Sequence, residues 1–163
     1  MSIFAIMAHD ETGGIGKDGA LPWPRKYRDL MHFKKITSNK KLLVGRKTFE
    51  TLPSLPDRET IVVTSNPENF ANGVTLEKAK SIAISEDVYI VGGAKLYKEF
   101  ESLIDYWFIT LVHGRFDSDT KYTPNLSEFE AVGSIAVVDE GHTLLFQEFR
   151  RKTKKSDRVL PNG

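Results

Sequence analysis

The sequence predicts an α/β fold. It reads as one domain with a central, mostly parallel eight-stranded sheet, about four flanking helices and a C-terminal antiparallel hairpin. Three observations predict it. Short apolar, β-branched runs alternate with segments of helical period. Glycines mark strand-to-helix junctions at Gly45 and at Gly92-Gly93. After residue 125 the alternation stops, and two strand-like runs flank Glu140-Gly141.

The elements follow in order. Ser2 to Ala8 is an apolar run, as expected of a buried central strand. Residues 9–24 read as loop, since Gly13, Gly14, Gly16 and Gly19 loosen the chain and Pro22 and Pro24 delay the helix. Tyr27 to Thr37 is that helix: Leu30, Phe33 and Ile36 recur at helical spacing, with Lys34 and Lys35 outward. Lys41 to Val44 is a strand, and Arg46 to Leu52 a short helix stopped by Pro53. Glu59 to Thr64, rich in β-branched residues, is a strand. Asn72-Gly73 turns the chain into a short strand, Val74-Thr75. Glu77 to Ser85 is a helix, Val88 to Val91 a strand, and Ala94 to Leu103 another helix. Tyr106 to Val112 is an aromatic, β-branched strand, and Ala131 to Val138 with Leu144 to Arg150 makes the hairpin. Residues 1–152 form the expected domain and 153–163 a solvated basic tail, because the run around Lys152-Thr153-Lys154-Lys155 is charged.

A chain of 163 residues suits one domain. A formal net charge of +1 gives no global attraction to nucleic acid or an anionic membrane. No apolar run approaches the roughly 18 residues of a membrane span. The apolar start lacks a basic n-region and cleavage site, so it reads as strand and not signal peptide. The absence of cysteine excludes disulfide scaffolds and thiolate metal sites and suits a cytoplasmic protein, with a monomer as the default. His9, His32, His113 and His142 show no ligand spacing, so no metal is expected. Neither a Gly-x-Ser-x-Gly elbow nor a P-loop occurs.

Asp29 is the only acid between Asp18 and Glu50. It lies four residues before Phe33, so both project from one helical face. Leu21 and Trp23 would close the same pocket from the loop. A carboxylate there resists ionising unless it accepts a pair of donors, such as an amino group beside a ring N–H on a flat heterocycle. The alternative is a surface acid on an amphipathic helix. Gly45-Arg46-Lys47-Thr48 opens a helix, where free N–H groups and added charge suit phosphate. Gly92-Gly93 repeats the arrangement, so two helix starts can converge on a pyrophosphate, although the G-x-G-x-x-G fingerprint is absent. Thr64-Ser65, near Arg46, could take a ribose phosphate and select the phosphorylated nicotinamide nucleotide, or could simply end a strand. Arg58 is either a carboxylate clamp at a cleft edge or a solvated turn residue.

Taken together and in order, these residues resemble dihydrofolate reductase. Gly14-Ile15-Gly16 and Leu21-Pro22-Trp23 match its active-site loop, and Asp29-Leu30-x-x-Phe33 its acid helix. Val44-Gly45-Arg46-Lys47-Thr48-Phe49-Glu50 resembles its Met-Gly-Arg-x-Thr-Trp-Glu signature, and Leu55-Pro56-Asp57-Arg58 its Leu-Pro-Gly-Arg turn. Val91-Gly92-Gly93-Ala94-x-Leu96-Tyr97 matches its Ile-Gly-Gly segment, and Ser118-Asp119-Thr120 its Gly-Asp-Thr loop. The motifs cover residues 3–124. The chain departs from the pattern in one extra residue, with a Pro, between Trp23 and Asp29. Ser118 stands for the usual Gly, Thr123 is inserted before Pro124, and the tail is extra.

The resemblance implies NADPH-dependent reduction of 7,8-dihydrofolate to tetrahydrofolate, with hydride passing from nicotinamide C4 to pterin C6 and water protonating N5. It implies that Asp29 pairs with the pterin amino and N3 groups, that Trp23 holds a water near it, that Thr110 bonds its carboxylate, and that Leu21 helps admit water. Ile6, Met7, Ala8 and Val91 would line the pterin and nicotinamide pocket, with Tyr97 near the nicotinamide. Phe33, Leu52 and Leu55 would pack on the folate, and Arg58 would take its α-carboxylate. Ala8, Ile15, Gly16, Gly45, Arg46, Lys47, Thr48, Val91, Gly92, Gly93, Ala94, Lys95 and Leu96 would bind the cofactor, with Thr64 and Ser65 on its 2′-phosphate. Antifolates such as methotrexate or trimethoprim would inhibit. Two other readings stand beside this one: another NADPH-dependent pterin or pyrimidine reductase of the same fold, such as the riboflavin-pathway enzyme, and a non-catalytic nucleotide- or partner-binding protein.

Overall fold

A computed structural model of the chain describes residues 1–153. The strands are β1 (Ile3–Asp10), β2 (Gly14–Gly16), β3 (Lys41–Gly45), β4 (Glu59–Val63), β5 (Gly73–Val74), β6 (Val88–Ile90), β7 (Tyr106–Val112), β8 (Thr120–Lys121), β9 (Phe129–Asp139) and β10 (His142–Arg151). The helices are α1 (Tyr27–Thr37), α2 (Arg46–Thr51), α3 (Leu76–Ser85) and α4 (Ala94–Phe100). Eight strands form one sheet in the order β5-β4-β3-β6-β1-β7-β10-β9. Its pairs are parallel from β5 through β7, and β10 then runs antiparallel to both β7 and β9. Among the described residues no helix is long and apolar enough to cross a membrane. Of the expected tail, 154–163 lies outside the described residues.

Side chains alternate across the sheet with period two, and this divides the interior. On one face Ala5, Met7, Leu43, Ile90, Trp107 and Ile109 pack against Ala79 and Ala83 of α3 and Leu96, Tyr97 and Phe100 of α4. Trp107 and Phe100 are fully buried there. Side chains of this size each contribute about 2–3 kcal/mol by leaving water. On the other face a smaller cluster of Trp23, Val112, Leu144 and Phe146 gathers, with Ala8, Phe116 and Val137 against it.

The expected elements differ from the observed ones in places with physical causes. Residues 9–24 are not all loop: β1 runs on to Asp10, and Gly14–Gly16 pairs antiparallel with Thr120–Lys121. Glycines read as loop signals, yet here they allow a close approach. A Cβ at Gly14 would lie 2.6 Å from Ser118 Oγ. Thr75 does not extend a strand; its hydroxyl caps α3 by accepting the Lys78 N–H at 3.2 Å. The last helix ends at Phe100, and residues 101–103 form a turn. β9 begins two residues before Ala131, at Phe129. The turn of the hairpin is as expected: Glu140 and Gly141 both have positive φ, 46° and 79°, the pattern of a two-residue type I′ turn.

Candidate active site

The acid sits where α1 crosses the sheet. In the register of β1, β7 and β10, Ala8, Thr110 and Phe146 form one row. His32 of α1 stacks on Phe146 with ring centres 4.0 Å apart. Asp29, one turn earlier, is half-buried and hydrogen-bonded by the Thr110 side chain. Burial drives its pKa up to about 6; the Thr110 hydrogen bond opposes the rise and the negative charge of Asp139 adds to it. Thr110 is itself 2% exposed. Trp23 is buried, edge-on to Phe116 at 6.1 Å, and its Nε1 has no hydrogen-bond partner among the described residues. Phe33 follows Asp29 by one turn and is half-buried, whereas Leu21 is exposed at the rim.

Pleating splits the β1 residues. Ala8 packs with Trp23, and Ile6, two residues before it, belongs to the same face. Met7 packs in the cluster on the far face, so only its backbone can reach the pocket. Tyr97 is buried, and its hydroxyl donates to the Ile6 carbonyl at 2.5 Å. The same hydroxyl lies 3.6 Å from where a Cβ on Gly92 would stand.

Two helix starts converge beside these residues. Gly45 begins α2 and Gly93 begins α4, and neither start has a side-chain cap. Their first N–H groups are therefore free for a ligand. Gly45 N–H donates to the Gly92 carbonyl at 2.8 Å, which holds the two junctions together. The Gly92-Gly93 peptide is cis. Gly92 has φ 123°, a backbone that side chains avoid, and a Cβ on Gly93 would come within 3.0 Å of Thr48 Oγ1. Arg46, Lys47 and Lys95 are exposed around this cradle, with Arg46 3.1 Å from Glu50. Val91 and Ala94 are half-buried, and Leu96 faces the core. Thr64 Oγ1 accepts the Asn66 N–H at 3.1 Å, so the hydroxyl also shapes the turn that ends β4; Ser65 is exposed.

At the other end of α1, Arg58 donates from its Nη1 to Thr37 Oγ1 at 3.1 Å and from Nε to the Pro56 carbonyl at 3.0 Å. Thr37 in turn donates to the Phe33 carbonyl at 2.7 Å. The guanidinium is thus held to the C-terminal turn of α1, while Leu52 and Leu55 are half-buried. Asp57 takes φ 64°, where the resembling turn has glycine; Asp tolerates that backbone.

The covering loop is tied down. Asp18 N–H donates to Asp119 Oδ2 at 2.8 Å, Asp119 N–H donates to the Gly16 carbonyl at 2.9 Å, and Lys17 lies 3.2 Å from Asp117. Ile15 packs against the far-face core. Beneath the loop, Asp10 is fully buried and accepts from Thr12 N and Oγ1, Gly14 N and Phe116 N, at 2.7–2.9 Å. Burial would raise its pKa, but these hydrogen bonds outweigh it and hold the group at about 2. Asp10, Lys26, Asp139 and His142 were not singled out as site residues by sequence reasoning. Lys26, Asp139 and His142 find their partners far away in the chain, and Asp10 finds one of its partners, Phe116, there too, so no local pattern marks them.

Two uncapped helix starts at glycine junctions and a partly buried acid held by Thr110, all on one α/β sheet, suit an oxidoreductase of the nicotinamide-dependent kind. Comparison with known proteins makes this specific. The family model for dihydrofolate reductase matches residues 2–151. Dihydrofolate reductase of Bacillus subtilis (strain 168) is 37% identical over 129 residues, 76% of each chain. That of Staphylococcus aureus is 33% identical over 149 residues, 88% of this chain and 93% of its own. A solved structure of dihydrofolate reductase from Enterococcus faecalis, complexed with NADP(H) and RAB-propyl, superimposes with a TM-score of 0.84 at 35% identity, covering 93% of this chain and 97% of that one. The chain belongs to the dihydrofolate reductase family. It is an NADP-dependent oxidoreductase that reduces dihydrofolate to tetrahydrofolate.

Proposed function

We propose that Asp29 grips the pterin ring of 7,8-dihydrofolate and that the glycine junctions hold NADPH against its face. The observation that carries this is one carboxylate, half-buried, lifted to about 6 by burial and hydrogen-bonded by Thr110. On pairing, the carboxylate accepts from the pterin amino and N3 groups, which orients the ring and keeps the acid ionised. The residues present fit the cofactor. Gly92 and Gly93 leave a hollow that a Cβ would fill, and the starts of α2 and α4 lack side-chain caps. Arg46, Lys47, Thr48, Lys95 and the backbone of Leu96 would hold its pyrophosphate and ribose, and Thr64 and Ser65 its 2′-phosphate. When bound, NADPH supplies the hydride that passes from nicotinamide C4 to pterin C6.

The chain supplies alignment and a field. Asp29 is not the direct donor to N5; it polarises the pterin, and water held by Trp23 and admitted past Leu21 delivers the proton. Phe33, Leu52 and Leu55 pack on the folate and Arg58 takes its α-carboxylate, an arrangement supported by the fixing of Arg58 on Thr37. Ile6 and Ala8, with Val91 and Tyr97, line the meeting point of the two rings. The protein acts as a cytoplasmic monomer, with methotrexate and trimethoprim competing for the pterin site. NADPH oxidation followed with dihydrofolate, with and without methotrexate, tests the reading. Turnover that methotrexate stops is expected, and turnover indifferent to it would remove the pterin pocket from the account.

A further inference from the structure

Helix α1 begins without a side-chain cap of its own: Lys26 occupies the cap position and makes no capping bond. The cap comes from across the fold. Asp139 Oδ2 accepts the N–H of Arg28, the residue directly before Asp29, at 2.8 Å. Three residues on, Lys26 Nζ lies 2.8 Å from His142 Nδ1. An ammonium can only donate, so the imidazole nitrogen accepts. Lys26 is 2% exposed, so this contact is built into the interior. Asp139 and His142 face one another as the closing pair of the β9–β10 hairpin, across the type I′ turn at Glu140-Gly141. One side of the hairpin end therefore grips the first turn of α1 at two points, on either side of Tyr27.

We propose that Asp139 is a positioning residue for the catalytic acid, seating Asp29 through the Arg28 N–H and placing a second negative charge against it, with Lys26–His142 as the companion clamp. This rests on the reading of Asp29 as the pterin-binding acid. Three features support it. A carboxylate at a helix start is favoured by the free N–H groups and the helix dipole, so Asp139 is held in place for its own sake. The clamp lies at the junction of the Trp23 loop with α1, so it fixes the start of the helix that carries the acid. The repulsion between Asp139 and Asp29 is one of the causes that raise the acid. The other charged or titratable groups around the pair are Lys26, Arg28 and His32 on the helix side, Glu140 in the turn and His142 on β10. Of these, His32 is held below its usual range by burial and by Lys35.

The test compares Asp139→Asn with Asp139→Ala. The amide oxygen of Asn still accepts the Arg28 N–H but carries no charge; Ala loses both. Asp29 is titrated directly by 13C-carboxyl NMR of the full chain, with its signal assigned by its loss in Asp29→Asn. Steady-state turnover and NADPH affinity are measured alongside. In Asp139→Asn the Asp29 midpoint should fall by about half a unit, about a threefold change in its proton affinity, with KM for dihydrofolate and NADPH affinity little changed. In Asp139→Ala the midpoint should also fall, and KM for dihydrofolate should rise about tenfold as the first turn loosens. An unmoved Asp29 midpoint in both variants overturns the proposal, even if Asp139→Ala is less stable. Asp29→Asn with parental turnover would instead overturn the reading of the acid itself, so the two failures are distinct.

Discussion

Replacing Asp29 by Asn should make the protein more stable and nearly inactive. The folded acid keeps its proton up to about 6, whereas the unfolded one releases it near its ordinary value of 3.8. Between these values the folded state binds more protons, so stability falls as pH rises through that window, and the penalty is complete above it. Two units at 1.36 kcal/mol each give about 3 kcal/mol as a ceiling. Asn carries no charge to desolvate but keeps only a weaker bond with Thr110, so a gain of about 1–2 kcal/mol at neutral pH is expected. Turnover should drop at least about 100-fold, because the amide cannot accept both pterin donors as a charged pair. Urea denaturation of both proteins at about pH 7.5 and about pH 4, with NADPH oxidation at neutral pH, makes the measurement. The stability gain should be present at the higher pH and gone at the lower. A variant equally stable at both, or one with parental turnover, refutes the reasoning.

Other substitutions probe the remaining parts. Asp10→Asn should cost about 1–2 kcal/mol at neutral pH, since four donors lose a charged acceptor. The parental advantage should fade as pH drops from 3.8 towards about 2, by denaturation across that range. Gly93→Ala puts a methyl 3.0 Å from Thr48 Oγ1 and should weaken NADPH binding about tenfold in a fluorescence titration, leaving the far-UV spectrum unchanged. Arg58→Met should raise KM for dihydrofolate about tenfold or more while kcat changes little, because a remote carboxylate contact is lost. Gly14→Ala should be destabilised by its clash with Ser118 and rescued in the Gly14→Ala, Ser118→Gly double variant, read as a coupling in thermal melts.

The layered fold was legible because it is written in local pattern. Periodicity gives α1, and β-branched runs give β4 and β7. Glu140-Gly141 marks the hairpin turn, and the structure adds that both residues take positive φ. The β2–β8 ribbon was not legible, since its glycines resemble loop and Thr120–Lys121 lies more than a hundred residues further on. Thr75 has strand propensity, yet the free N–H groups of α3 recruit it as a cap. At the site, Asp29 stood out as a lone acid in a basic stretch. Asp139, His142 and Lys26 did not, because an acid ending a strand and a lysine among cations look like ordinary surface until tertiary packing joins them. Asp10 likewise acquires part of its meaning from Phe116, which follows it only after five further strands of the main sheet.

Strand β1 serves two layers at once: Ala8 packs on the Trp23 cluster, and Met7 on the larger core beneath α3 and α4. A single extra residue ahead of Ile6 would exchange the two walls, turning methionine toward Trp23 and alanine into the larger hydrophobic core, while its hydrogen bonding would continue undisturbed. Two extra residues would restore the parity. Insertions in this ribbon should therefore be tolerated by evenness of number more than by length.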